Sequence, residues 1–259
     1  MNRIILLTLL FFLSKGTMGQ TKIIAHRGFS GIAPENTLVA FRKAIESGAN
    51  YIELDVHATK DDSLVVIHDA SVNRTSSNGM KGKVDKMTYD ELTAVNVGYS
   101  GKFGDTYQNE KIPTLREVLE TAKGKIKVCI EIKVYEVEEN VLQIVNDLNM
   151  NDDVIIFSFY HPVLAKIRQL DAKISILLLI NSADTTTIDN AAKIEANAIG
   201  VGPRTRLTKE YLAIAHEQGI EVWKWTVNKE DKMKQLIDMG VDGLITNFPD
   251  VALKNINND

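Results

Sequence analysis

Several apolar runs in this chain end in groups able to move a proton, hold a cation or grip an anion. They are His26-Arg27-Gly28, Glu53-Leu54-Asp55, His68-Asp69, Glu131-Ile132-Lys133 and Trp225-Thr226-Val227-Asn228. Two imidazoles flanking one centre can act as general base and general acid near neutral pH. Three carboxylates brought together raise one another's pKa unless a cation neutralises them. An oxygen-only donor set suits Ca2+ or Mg2+, and the single cysteine, Cys129, excludes a zinc site built on thiolates. The metal-free alternative is a buried network balanced by Lys133, but three acids against one lysine leave net negative charge. Arg27 offers a planar fork suited to a phosphate, or to a plain salt bridge. Gly28 after it permits close backbone approach. Asn36, following Pro34-Glu35, either caps the first helix or turns its amide toward a bound phosphate. Phe159 and Trp225 sit at strand ends, where they wall a pocket or pack in the core. Cys129 reads as a small buried hydrophobe, and His57, His161 and His216 as structural or exposed.

These groups need a scaffold that brings distant segments to one place. Gly48, Gly124, Gly219 and Gly240 each follow an amphipathic run and precede an apolar one, as a glycine that closes a helix does. Thr114-Leu115-Arg116-Glu117 is a capping box, and Asn228 with Asp231 is a similar start. Candidate strands cover residues 22–26, 50–56, 126–132, 154–158, 174–179, 197–201, 221–226 and 242–246, with helical patterns between most of them. Eight strands alternating with helices predict an α/β protein of the (β/α)8 TIM-barrel class. No glycine-rich nucleotide fingerprint follows the first strand, which speaks against an open doubly wound sheet.

Period-two alternation sorts the strand residues. Ile52, Leu54, Val56, Val128, Ile130 and Ile132 face the helices, while Glu53, Asp55, Cys129, Glu131 and Lys133 face the barrel interior. The run 64–68 follows strand 50–56 too closely for a crossover helix. It predicts a β-hairpin extension of the second strand, with a turn near 60–63 that pairs Thr59 with Leu64 and Asp55 with His68. Residues 70–112 are polar and carry little pattern, which predicts a small insertion at the barrel mouth, either a substrate-shaping lid or plain loop.

The chain has 259 residues, 44% of them hydrophobic, and 30 basic against 34 acidic residues. The acidic balance argues against a general nucleic-acid binder. Residues 1–19 read as a signal peptide: Arg3 at the tip, a ten-residue apolar run over 4–13, then small and polar residues ending near Gly19. The run is half the roughly 20 residues a membrane span needs. No cysteine follows it to carry a lipid. Cleavage there leaves residues 20–259 as a single domain. Arg3 and Lys15 go with the leader, so 28 basic against 34 acidic residues remain, a charge of −6. The mature protein is expected in the periplasm or the medium, without a stable membrane anchor.

In their order along the chain, these residues resemble the glycerophosphodiester phosphodiesterase family. The matching segments are Ala25-His26-Arg27-Gly28, Pro34-Glu35-Asn36-Thr37, Tyr51-Ile52-Glu53-Leu54-Asp55-Val56 and Val65-Val66-Ile67-His68-Asp69. Further on come Asn73-Arg74-Thr75, Glu131-Ile132-Lys133, Trp225-Thr226-Val227-Asn228 and the segment 242–249. The resemblance implies a TIM barrel with a small insertion and metal-dependent hydrolysis of a glycerophosphodiester to glycerol 3-phosphate and an alcohol. It implies that Glu53, Asp55 and Glu131 hold one divalent cation, Ca2+ or Mg2+. His26 and His68 would be the catalytic acid/base pair, with Arg27, Asn36, Lys133, Phe159 and Trp225 as substrate- or phosphate-binding candidates. It further implies attack by the glycerol 2-hydroxyl through a cyclic phosphate, which the residues alone do not separate from direct attack by water. Two alternatives stay open at this point, a lipid-directed phosphodiesterase and a non-catalytic phosphate- or glycan-binding barrel. The head group and the oligomeric state are left undetermined.

Overall fold

A computed structural model describes residues 20–257; the leader expected over 1–19 lies outside them. The strands are β1 (Lys22–Ala25), β2 (Tyr51–Ala58), β3 (Leu64–Val66), β4 (Lys127–Ile132), β5 (Val154–Ser158), β6 (Ser175–Ile180), β7 (Ala198–Val201), β8 (Glu221–Lys224) and β9 (Gly243–Thr246). All but β3 are parallel neighbours in one sheet, and pairing of β1 with both β9 and β2 closes it into an eight-stranded barrel. Helices α1 (Leu38–Ser47), α2 (Tyr89–Thr93), α3 (Ser100–Phe103), α4 (Leu115–Ala122) and α5 (Glu138–Asp147) come first. They are followed by α6 (His161–Leu170), α7 (Thr185–Lys193), α8 (Lys209–Glu217), α9 (Glu230–Met239) and α10 (Pro249–Asn257). The expected TIM barrel is the observed fold. Among the described residues no helix is long and apolar enough to cross a membrane.

The alternation predicted for the second and third barrel strands is present. Ile52, Leu54, Val56, Val128, Ile130 and Ile132 are buried between strands and helices. Inside the barrel, Ile24, Tyr51, Cys129, Phe157, Leu177 and Trp223 form a separate apolar cluster. Trp223 is fully buried, with its ring centroid 5.5 Å from Tyr51 and 5.7 Å from Phe157. This plug closes the barrel, so the polar groups gather at the C-terminal strand ends, where enzymes of this fold keep their chemistry.

Several local expectations need correction. The hairpin pairs Val56 with Val66, His57 with Val65 and Ala58 with Leu64, one residue away from the predicted register. The turn is longer than expected: the Thr59 amide donates to Ser63 O, and the Thr59 hydroxyl accepts from the Ser63 amide, so the turn starts a residue earlier. The N-cap of α1 is Thr37, not Asn36. Asn228 does not cap α9 but accepts from the Asn247 amide at 2.9 Å. The capping box at Thr114 and Glu117 is formed as predicted. The insertion 70–112 is not plain loop. It contains α2 and α3, and Val72, Val84, Leu92, Val95, Val97 and Ile112 pack with Val65 and Ile67 of the hairpin in a small core of their own.

Candidate active site

The site is built on four strand ends. At the first, Arg27 and Gly28 both adopt left-handed backbone, with φ of 55° and 75°. A Cβ on Gly28 would stand 2.7 Å from the Ala40 carbonyl carbon, so only glycine fits there. The turn aims the Arg27 amide at Glu53, which accepts at Oε2 across 2.8 Å. The register of β2 on β4 sets Asp55 opposite Glu131 and Glu53 opposite Cys129. As a result, carboxylate oxygens of Glu53, Asp55 and Glu131, all three buried, lie within 4.8 Å of one another.

The electrostatics of this cluster are uneven. Burial pushes the Glu53 pKa well up, and Asp55 and Glu131 push it further. Burial, then Asp55, likewise raises Glu131. Burial acts on Asp55 in the same direction, but Lys133 and Arg27 outweigh it and hold that carboxyl below its usual range. Lys133 Nζ stands 2.9 Å from Glu131 and 3.3 Å from Asp55, and Arg27 Nε lies 3.4 Å from Asp55. Even so, Asp55 Oδ1 is buried without a hydrogen-bond partner. Two cations against three acids and an orphaned buried oxygen fit a bound divalent cation, since hard cations take such oxygen donors. The lysine network weighed from the sequence is present, and its 3.3 Å contact is to this same Oδ1, an ion pair without a hydrogen bond.

The two histidines face the same small cavity, of about 90 Å3, together with Arg27, Glu53, Glu131 and Lys133. His26 Nδ1 is 2.7 Å from Asn247 Oδ1. Burial, reinforced by Arg27, lowers the His26 pKa to about 4. His68 Nδ1 is 2.7 Å from Asp69 Oδ1. Burial lowers His68 too, while Asp55 and Asp69 pull it back up. An oxygen acceptor at Nδ1 favours the tautomer with the hydrogen on Nδ1 in both rings, which leaves Nε2 able to accept a proton.

Of the remaining candidates, Phe159 and Trp225 pack edge to face with centroids 5.4 Å apart, and both line the cavity. Asn36 does not line it. Its amide donates to Asp55 Oδ2 at 2.8 Å from a buried position, so it orients a carboxylate and is not turned toward a phosphate. Four further residues were given no role from the sequence. Glu35 accepts from Arg27 Nη1 at 2.9 Å and from Arg74 at 2.7 Å. Arg74 also grips Asp69, through Nε at 2.7 Å. The chain Arg27–Glu35–Arg74–Asp69–His68 thus ties the insertion to the site. Asn247 is the fourth. All lie in segments that carried the family resemblance, and Asp69 directly follows His68; beyond that, nothing local marked them.

The closed (β/α)8 barrel gathers acids, imidazoles and a guanidinium at its C-terminal mouth, groups able to hold an anion and move protons. The chain matches the glycerophosphoryl diester phosphodiesterase family over residues 26–251. It is 39% identical over 246 residues to a glycerophosphodiester phosphodiesterase of Bacillus altitudinis, covering 90% of this chain and 97% of that one. It is 37% identical over 240 residues to another from Caldanaerobacter subterraneus, with the same shares covered. The crystal structure of a glycerophosphodiester phosphodiesterase from Agrobacterium tumefaciens superposes with a TM-score of 0.80 at 28% identity, covering 90% of this chain and 99% of that one. The chain belongs to the glycerophosphoryl diester phosphodiesterase family and is an enzyme of that class, a phosphoric diester hydrolase.

Proposed function

We propose that the chain hydrolyses glycerophosphodiesters to glycerol 3-phosphate and an alcohol, with one divalent cation, Ca2+ or Mg2+, held by Glu53, Asp55 and Glu131. The observation that carries this is the convergence of those three carboxylates on one point beside both histidines and Arg27. When bound, the cation neutralises phosphate charge and so lowers the barrier to attack by an oxygen nucleophile. Arg27 supplies a second positive contact to a phosphate oxygen, and Glu35 and Asp55 fix its plane. Asn36 holds Asp55, so its place is behind the carboxylates.

The two histidines have different partners, and this separates their roles. His26 is paired with a neutral amide and stays unprotonated across the physiological range. It removes the proton from the attacking hydroxyl, whether of glycerol or of water. His68 is paired with the Asp69 carboxylate, which offsets part of the lowering that burial imposes on its pKa, and it delivers a proton to the departing alkoxide. Phe159 and Trp225 wall the pocket that receives the alcohol. The test incubates protein starting at Gln20 with glycerophosphocholine and glycerophosphoethanolamine, in Ca2+, in Mg2+ and with chelator, and reads released glycerol 3-phosphate. Metal-dependent release abolished by His26→Ala supports the assignment. Folded protein that releases nothing with either metal refutes it in favour of a lipid substrate or a binding role.

A further inference from the structure

A second, larger cleft adjoins the catalytic cavity. It has a volume of about 800 Å3 and opens between the loop after β7 and the segment from the end of β8 into α9. Its lining includes Arg204, Arg206, Lys224, Lys229 and Lys232, and no Asp or Glu. In a chain of formal charge −4 this is a pronounced local excess of positive charge. Arg204, Arg206, Lys229 and Lys232 are exposed. Among the described residues none of these four forms an ion pair; Lys232 Nζ donates to the Gln235 side-chain oxygen at 3.0 Å. Lys224 is different. It is buried, and its ammonium donates to the carbonyls of Gly202 and Thr205, the latter at 2.7 Å, pinning the loop that carries the two arginines.

The cleft and the active site share a wall. Trp225 and Thr226 line both. The loop after β7 is packed tightly on Trp225: a Cβ added to Gly202 would stand 2.9 Å from the indole Cζ2. Its upper lining follows the C-terminal ends of β7 and β8, on the side of the barrel that carries the histidines, and Gln235, Leu236 and Met239 carry it down along α9.

We propose that this enzyme takes glycerophosphodiesters whose alcohol part carries a second phosphate, and that Arg204, Arg206, Lys229 and Lys232 bind it. The inference rests on the phosphodiesterase reading above. In that reading the scissile phosphate is served by the cation and Arg27, so four more unpaired cations are surplus to a substrate with one phosphate. The glycerol side is set by the reaction, which leaves the alcohol side to vary. A cationic head group gains nothing from this surface. A further phosphate, with one to two negative charges, relieves the mutual repulsion of the four cations.

The test compares kcat/KM for glycerophosphoglycerol with two substrates that bear a second phosphate, a short glycerol phosphate oligomer and glycerophosphoinositol 4-phosphate. The wild type is measured beside the double variants Arg204→Gln/Arg206→Gln and Lys229→Gln/Lys232→Gln, at low and high salt. The expected result is a preference of about tenfold or more for a second phosphate, about 1.4 kcal/mol. It should shrink as salt rises. Each double variant should lose most of it while hydrolysing glycerophosphoglycerol within about twofold of wild type. A preference for both doubly phosphorylated substrates supports recognition of the phosphate alone, and one confined to the oligomer identifies a polymeric source. Equal kcat/KM in the wild type, or a preference untouched in both double variants, overturns the proposal and leaves the phosphodiesterase reading standing. Folded wild type that turns over none of the three with either metal overturns both.

Discussion

Replacing Asn247 by Asp should move the acid limb of the pH–rate profile toward neutrality. His26 has its pKa lowered to about 4 because burial and Arg27 both oppose its charged form. Its one side-chain hydrogen-bond partner, Asn247 Oδ1, is neutral and 2.7 Å away. Asn247→Asp keeps the shape and adds a charge. A carboxylate at roughly 4 Å, with an effective dielectric constant of about 20, stabilises an imidazolium by about 4 kcal/mol. At 1.36 kcal/mol per unit that is about three pKa units. Desolvation of the new carboxylate takes back part of this, leaving a shift of about two units. A base works only when unprotonated, so activity is lost as pH falls through its pKa. The wild type should therefore keep its kcat/KM down to about pH 5, whereas Asn247→Asp should be down roughly tenfold there and recover by pH 8. The profile is measured on glycerophosphocholine by phosphorus NMR at saturating metal, and repeated at a second saturating concentration to show that the limb does not follow metal binding. Coincident acid limbs in wild type and variant would refute the claim that a buried neutral His26 is the base.

Four further outcomes follow from the same geometry. His26→Ala and His68→Ala should each cost about 10²–10⁴-fold in kcat. A nitrophenyl phosphodiester, whose leaving group needs no proton, should rescue only His68→Ala; equal rescue of both would remove the division of roles. Glu53 and Glu131 have raised pKa values in the folded protein, so the fold retains protons that the unfolded chain releases. Metal-free stability should accordingly fall as pH rises from about 4.5 through their folded values, and added Ca2+ or Mg2+ should raise Tm more at pH 8 than at pH 5.5; a larger gain at pH 5.5 would contradict this. Asp55 shifts the other way and acts only at lower pH. A Cβ on Gly243 would meet the Trp223 ring at 2.5 Å, so Gly243→Ala should destabilise by about 1–3 kcal/mol in urea unfolding, and an unchanged midpoint would show that the plug yields. Mass spectrometry of the protein expressed in a bacterium should find export with the mature chain starting near Gln20, against an intact N-terminus if residues 1–19 are not a cleaved leader.

Much of the site was written in short-range pattern. Alternation on β2 and β4 requires no knowledge of the fold to turn Glu53, Asp55 and Glu131 away from the residues that pack on helices, because successive side chains of a strand point to opposite faces. Counting strands between helical runs was enough for the barrel, since short parallel connections through helices leave few other ways to bury both faces of a sheet. The hairpin register was misread for a related reason: the pattern of 64–68 fits either pairing, and the hydrogen bonds of the turn at Thr59 and Ser63 decide.

Tertiary structure alone decided who partners whom. Asn36 is a sound helix cap by composition, but Thr37 takes the cap and Asn36 reaches a carboxylate 19 residues along the chain. Asn247 lies 221 residues from His26, and Arg74 lies 39 from Glu35; neither pairing leaves a local trace. The insertion looked unpatterned because its apolar residues serve a small core shared with the hairpin and follow no single period. The basic cleft shows the same limit most clearly. Arg204, Arg206, Lys229 and Lys232 belong to no motif in the sequence, and only closure of the barrel sets the loop after β7 beside α9 so that they line one cleft. Residue type and spacing therefore determined which chemistry the chain can perform. The assembled barrel determined how each reactive group is oriented, how its pKa is displaced and what lies beside it, because those depend on charges and burial contributed by segments far apart in sequence.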